Sequence, residues 1–269
     1  MLGSLLNGLI LNIQFFSTIP IRKKEVPITT ENLRRAVQLF PVLGLLQGGM
    51  LAALFYLLTE YTFFSPLAIA FLLWLFIILI TGAIHLDGWI DSSDAFFSYR
   101  DKERRIEILA DPRVGAFGLI SGIVLLATRF LFIYEIVIMA NDFTIILILL
   151  IPMIGKIFMG MMLSLLPPMK KSGLGHLFHE ASKGAIFHFY LIYILLMVTL
   201  LSLFQAYVLL ILALSMLLAI VLTYLIAKRK VINWFGGING DVVGGATEGV
   251  ETLLWLIIWL FHYYAMGSL

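Results

Sequence analysis

Apolar residues run along this chain in stretches long enough to cross a bilayer core of roughly 30 Å, and the polar residues gather in short segments between them. Seven such stretches predict helical spans at about Leu39 to Leu58, Leu67 to Ile84, Phe117 to Met139, Thr144 to Leu166, Ile186 to Phe204, Tyr207 to Ala227 and Val250 to Met266. Ahead of them Leu2, Leu5, Leu6, Leu9, Ile13 and Phe16 recur at helical spacing, with Asn7, Asn12 and Gln14 between. That pattern predicts an amphipathic N-terminal helix, interfacial or packed, ending by Pro20. It lacks a basic stretch ahead of the apolar run and a small-residue cleavage site, so a removable signal peptide is not expected. The first span carries Pro41, Gly44, Gly48 and Gly49, which in lipid favour close helix packing. The expected fold is therefore all-α: a polytopic integral membrane protein with about seven transmembrane helices. Neither a repeat nor a linker divides residues 1–269, which read as one membrane domain.

Composition supports the same class. With 61% hydrophobic residues, 13% charged residues and a mean hydropathy of +1.04, there is too little polar surface to cover a water-soluble globule. A net charge of +2 gives no reason to expect a nucleic-acid partner. The chain has no cysteine, so disulfides, thiolate metal sites and a cysteine nucleophile are excluded. No two histidines share a face at ligand spacing, and a zinc site is not expected.

The distribution of charge sets an orientation. Arg22, Lys23, Lys24, Arg34 and Arg35 precede the first span, and five more cations lie between Arg100 and Arg113. Lys170, Lys171 and Lys183 follow the fourth span, and Lys228, Arg229 and Lys230 follow the sixth. All these segments fall on one side, and the opposite loops hold no Lys or Arg. The bias predicts a cytoplasmic N-terminus and cytoplasmic polar loops. Arg129 and Lys156 lie inside spans, where an ionisable group is costly without a partner; Lys156 is placed to face a polar pocket.

The candidate chemistry sits in those loops. The stretch from Thr81 to Gly118 holds seven of the sixteen carboxylates. Asp87, Asp91 and Asp94 stand at i, i+4 and i+7, so on a helix they project from one face. Carboxylates so crowded repel one another unless a cation sits among them, and a hard divalent ion, magnesium, is the expectation. Arg104, Arg105, Glu107, Asp111 and Arg113 follow on a short amphipathic segment, where pairs such as Asp101 with Arg105 would make a solvated helix. The second polar stretch, GGINGDVVGGATEGVE from Gly236 to Glu251, carries Asp241 and Glu248 among six glycines. It is read as a flexible loop whose amides can approach phosphate and whose carboxylates close over the first group. Lys170 and Lys171 in PPMKKSGLG either grip phosphate or serve only as basic loop charge. Hard-metal carboxylates, cations and glycine-rich turns at one membrane face point to phosphoryl-type transfer.

The segments IHLDGWIDSSDAFFSYRDKERRIEILADPRVGAFG, FFSTIP, FPVLGLLQGG, KKSGLG and GGINGDVVGGATEGVE together resemble the cobalamin (vitamin B12) synthase family, the adenosylcobinamide-GDP ribazoletransferases, across nearly the whole chain. The resemblance implies a multi-pass enzyme of a prokaryotic cytoplasmic (inner) membrane, with magnesium as cofactor. It implies adenosylcobinamide-GDP and α-ribazole or its 5′-phosphate as substrates, GMP as leaving product, and adenosylcobalamin or its 5′-phosphate as the other product. Asp87, Asp91, Asp94 and Asp241 are implied as metal ligands, with His85 joining the three aspartates of the first motif as catalytic. Arg104, Arg105, Asp111, Arg113, Gly237, Gly240 and Glu248 are implied in substrate binding. So are Asn239, Lys156 and Lys170, which stand where the family commonly has Thr, a nearby Arg and a nearby Arg; lysine keeps the charge and loses the guanidinium fork. A homo-oligomer or contact with other cobalamin-assembly enzymes is compatible with this reading.

Two other readings compete. A CDP-alcohol phosphotransferase also carries an acidic DG motif at a membrane face, but here the spacing is D-G-x2-D-x2-D with no Ala-Arg pair. An ion-coupled transporter would place its carboxylates near the bilayer midplane, whereas these are expected at a span end.

Overall fold

Lipid offers the backbone no hydrogen-bond partner, so a chain this apolar must satisfy its amides within helices. The computed structural model describes residues 2–21, 26–184, 186–204 and 206–265, and among them it has twelve helices and no extended strand. Arg22, Lys23 and Lys24 of the basic segment, and Met266 at the end of the last expected span, lie outside the described residues.

The helices are α1 (Leu2–Phe16), α2 (Thr30–Gln38), α3 (Phe40–Tyr61), α4 (Pro66–Thr81), α5 (Ile84–Phe97) and α6 (Lys102–Leu109), followed by α7 (Ala116–Ile138), α8 (Thr144–Leu165), α9 (Leu174–Ser182), α10 (Phe187–Leu203), α11 (Tyr207–Phe235) and α12 (Gly240–Ala265). Five of them, α3, α7, α8, α11 and α12, are long and apolar enough to cross a membrane alone. Counting α4 with α5 and α9 with α10 as bent pairs raises the number to seven, the number predicted. The N-terminal helix is present as α1, short and apolar.

Helix α8 is the centre of the bundle. It packs against α3, α12, α11 and α9, and most of its length is buried. The α3 contact depends on missing side chains: a Cβ on Gly44 would strike the backbone of Pro152 and Met153, and one on Gly48 would strike the Leu149 carbonyl. The small residues of the first span thus serve close packing, as expected.

The second span differs from its prediction. Helix α4 stops at Thr81, and Gly82 and Ala83 both take the left-handed conformation, with φ of 63° and 57°. The chain then leaves at 86° as α5, so the aspartate motif rides on a separate helix rather than on the end of a span. The Gly82 amide caps α4 by donating to the Leu79 carbonyl.

The glycine-rich segment differs too. Only 236–239 form a connection; α12 begins at Gly240, and Gly244, Gly245 and Gly249 lie within it. Glycine weakens an isolated helix by about 1 kcal/mol per residue, which is why the stretch reads as a loop. Packing overrides that cost, because α12 crosses α5 where neither helix has room for side chains. A Cβ on Gly245 would meet the Gly88 carbonyl, and a Cβ on Gly88 would meet the Asp241 backbone.

Candidate active site

The α5–α12 crossing brings the two acidic motifs together. Asp87, Asp91 and Asp241 lie within electrostatic reach of one another. Among the described residues nothing forms an ion pair or side-chain hydrogen bond with Asp87 or Asp91, and Asp241 accepts a single hydrogen bond, 2.7 Å, from the Asn239 side chain. Asn239 also accepts from the Val242 amide at 2.9 Å, capping the start of α12. Its role is therefore to seat Asp241 as well as to start the helix.

Asp94, expected as a third ligand, points elsewhere. Its two carboxylate oxygens accept from the Gly115 and Gly118 amides at 2.6 and 2.7 Å, at the start of α7. A helix N-terminus presents unpaired amides and a partial positive charge, so a carboxylate there is well satisfied. Both glycines are required by closeness, since a Cβ on either would overlap the carboxylate.

Two clefts open on the acidic cluster. The first, about 240 Å³, is largely apolar and is bounded by Phe15 and Phe16 of α1, Met159 and Leu163 of α8, and Phe178 of α9, with His85, Asp87 and Asp241 beside them. The second, about 270 Å³, is more polar and includes Lys170, Ser172, His176 and Asn239, with Ile106 and Leu109 of α6 opposite. Leu174, Gly175, Gly240 and Asp241 line both, so the clefts meet at Asp241. The loops behind the second cleft are tied by a short backbone bridge: the Met169 amide donates to the Ile238 carbonyl at 2.8 Å, and the Ile238 amide to the Pro167 carbonyl at 2.9 Å. Gly237 permits this contact, because a Cβ there would strike the Pro167 carbonyl. The KKSGLG and GGINGD segments are thus joined, with Lys170 on the cleft wall.

Below this rim lies a second population of charge, buried and paired. Arg129 of α7 binds the Glu248 carboxylate and carbonyl and the Thr252 hydroxyl, all inside the bundle. Lys156 of α8, with no solvent exposure, stands 3.6 Å from the Glu251 carboxylate and 3.4 Å from His85 Nδ1. Glu248 and Lys156, both implied as substrate-binding, are paired with other protein groups inside the bundle. Sequence patterning missed these pairs because Glu248 and Glu251 were read as loop residues, whereas α12 carries them into the bundle.

The basic frame is spread over the surface. Arg104 pairs with Glu107. Arg113 pairs with Asp111 at 2.6 Å, and hydrogen bonds from its side chain and amide hold the Asp111 carboxyl down at about 2. Neither arginine lines either cleft. Arg105 does not make the pair with Asp101 that spacing predicts; it lies 5.9 Å from the Phe96 and Trp234 rings, while Asp101 caps α6 through the Arg104 amide.

The donor set suits a hard cation, since Asp87, Asp91 and Asp241 offer uncompensated carboxylate oxygen. Among the described residues no three acidic or imidazole groups converge as a ready-made metal cage. Magnesium is commonly held by one or two carboxylates, with waters and substrate phosphates completing its shell, and the cluster matches that pattern in kind.

A family model described as CobS, cobalamin-5-phosphate synthase, matches residues 8–259. A curated relative from Geobacillus kaustophilus, named adenosylcobinamide-GDP ribazoletransferase, is 38% identical over 97% of this chain and 98% of its own. Relatives of the same name from Geobacillus sp. (strain WCH70) and Clostridium botulinum (strain Okra / Type B1) are each 36% identical, over 97% and 95% of this chain and 98% of theirs. No solved structure matches the chain. With the match spanning almost every helix that builds the acidic crossing and its two clefts, this chain belongs to the CobS, or cobalamin-5-phosphate synthase, family.

Proposed function

We propose that this protein joins adenosylcobinamide-GDP to α-ribazole, or to its 5′-phosphate, releasing GMP and forming adenosylcobalamin or its 5′-phosphate. The observation that carries the reading is the meeting of two clefts at uncompensated carboxylates, in a chain of this family. A transferase needs two substrates brought to one point, and Asp241 is the carboxylate among the four residues that both clefts share.

A ribose hydroxyl of the acceptor attacks the phosphorus next to cobinamide, a P–O bond forms, and the bond to the GMP phosphate breaks. Bound magnesium supplies charge neutralisation for the diphosphate. One or two carboxylates from Asp87, Asp91 and Asp241 would hold that ion, with waters and the diphosphate completing its shell, and Asp94 fixes α5 against α7 rather than joining them. Lys170, on the wall of the second cleft, faces the diphosphate as a point charge. The hydroxyl proton passes to a carboxylate of the cluster. His85 is a poor acceptor for it, because it is buried behind the cluster with its Nδ1 toward the Lys156 ammonium.

The basic segments at Arg34 and Arg35, Arg100 to Arg113, Lys170 and Lys171, and Lys228 to Lys230 support a cytoplasmic active-site face in the inner membrane of a bacterium. The test is GMP release by the purified protein from adenosylcobinamide-GDP. Release is expected only with magnesium and α-ribazole both present, and intact protein that releases none under those conditions overturns the reading.

A further inference from the structure

The apolar cleft has a chemistry that the carboxylates do not explain. Its inner wall is built from buried Met159, Leu163 and Phe178, while Asp87 and Gly240 at its edge are exposed. Phe15, Phe16 and Phe178 form a joined aromatic group, with Phe178 lying 6.0 Å from each of the other two ring centres. Such walls favour a flat, apolar ring over a phosphate or an amide-rich corrin edge.

One polar atom interrupts the wall. His85 is only 4% exposed, and its Nε2 is buried without a hydrogen-bond partner among the described residues. The Lys156 ammonium can only donate, so at 3.4 Å it makes His85 Nδ1 the acceptor. The ring hydrogen of neutral His85 then sits on Nε2, a donor left unsatisfied. Glu251, 3.6 Å from Lys156, holds that lysine in place, so Glu251 and Lys156 act as positioning residues for the imidazole.

We infer that the cleft between α1, α8 and α9 receives the benzimidazole base of the ribazole acceptor, packed on Phe16 and Phe178, with its free ring nitrogen accepting from His85 Nε2. That base is apolar and planar apart from a single acceptor nitrogen, and the inner wall of the cleft, away from Asp87 and Asp241, is apolar and aromatic apart from His85 with its unsatisfied donor. Its attached ribose then emerges beside Asp87 and Asp241, where the attacking hydroxyl is needed. The guanosine diphosphate end of the other substrate is left to the second cleft, beside Lys170 and Ser172. This assignment rests on the transferase reading above.

Steady-state GMP release by the full-length protein in lipid nanodiscs tests it. Phe16→Ala is expected to raise KM for α-ribazole roughly tenfold, the upper end for one aromatic contact, while KM for adenosylcobinamide-GDP stays within about twofold. A rise confined to adenosylcobinamide-GDP, or equal for both, overturns the assignment. A second measurement needs no variant: the indole analogue of α-ribazole, with CH in place of the free ring nitrogen, is expected to lose roughly tenfold in kcat/KM on the unaltered protein, and His85→Phe to abolish that preference. Equal use of both acceptors by the unaltered protein overturns the His85 contact. Wild-type protein that releases no GMP with both substrates and magnesium overturns the activity as well, whereas active protein with unmoved KM values overturns the cleft assignment alone.

Discussion

Two sets of acidic residues lie within a few helical turns of each other and are treated oppositely. Glu248 and Glu251 face Arg129 and Lys156 inside the bundle, each carboxylate with a cation beside it. The carboxylates of Asp87 and Asp91 at the rim have no cation and no hydrogen bond among the described residues, although they crowd one another and Asp241. Burial explains the first set, because an unpaired charge in the interior is prohibitively costly. The second set can stay unpaired only because water reaches it, and the mutual repulsion it retains is what the proposed cation would relieve. Paired charge here is architecture, and unpaired charge marks the proposed site.

The sharpest way to break that contrast is at the rim. Asp87→Asn and Asp241→Asn are each expected to lower turnover by about a thousandfold or more while the purified protein stays folded, checked by GMP release and thermal unfolding. Either variant retaining near-normal turnover would move its aspartate into the architectural set. Removal of divalent ions with EDTA should stop turnover with little change in unfolding temperature, and added magnesium should restore it.

Inside the bundle the order of effects reverses. Arg129→Met leaves Glu248 buried and unpaired and is expected to destabilise the fold by about 3–5 kcal/mol. Combining it with Glu248→Leu should recover most of that loss, read by thermal unfolding in detergent. Failure of the double variant to recover would show that Thr252 and the Glu248 carbonyl, not the ion pair, hold Arg129. At the small end, Arg113→Ala removes an exposed side chain that only the half-buried Asp111 uses, and neither stability nor KM is expected to move measurably.

Much of this contrast was legible in the sequence and part was not. The apolar runs located the membrane spans, seven when each bent pair counts as one, and the spacing of Asp87 and Asp91 placed them on one helical face. The polar cluster at Asp241 was visible, and so was the need of Arg129 and Lys156 for partners. What patterning could not supply was the direction of each carboxylate. Asp94 continues the periodic face, yet the N-terminus of α7 arrives beside it and satisfies both oxygens, a tertiary event no local spacing encodes. Glu248 and Glu251 looked like loop residues because six glycines lower helix propensity; the glycines answer instead to the close crossing with α5. The end of α4 was missed for the opposite reason, since Gly82 and Ala83 turn the chain within a run that stays apolar through Ile84.

That crossing also bears on how the enzyme lives in a bilayer of varying thickness. Helices meet a thicker or thinner membrane by tilting, and a tilting rod moves least at its pivot. Gly88 and Gly245 put backbone against backbone beside the acidic cluster, which makes the crossing the natural fulcrum of α5 and α12. Rocking that displaces the far end of α12 by ångströms would leave the gap between Asp87 and Asp241 nearly constant, so the geometry of the proposed site would be insulated from the lipid around it.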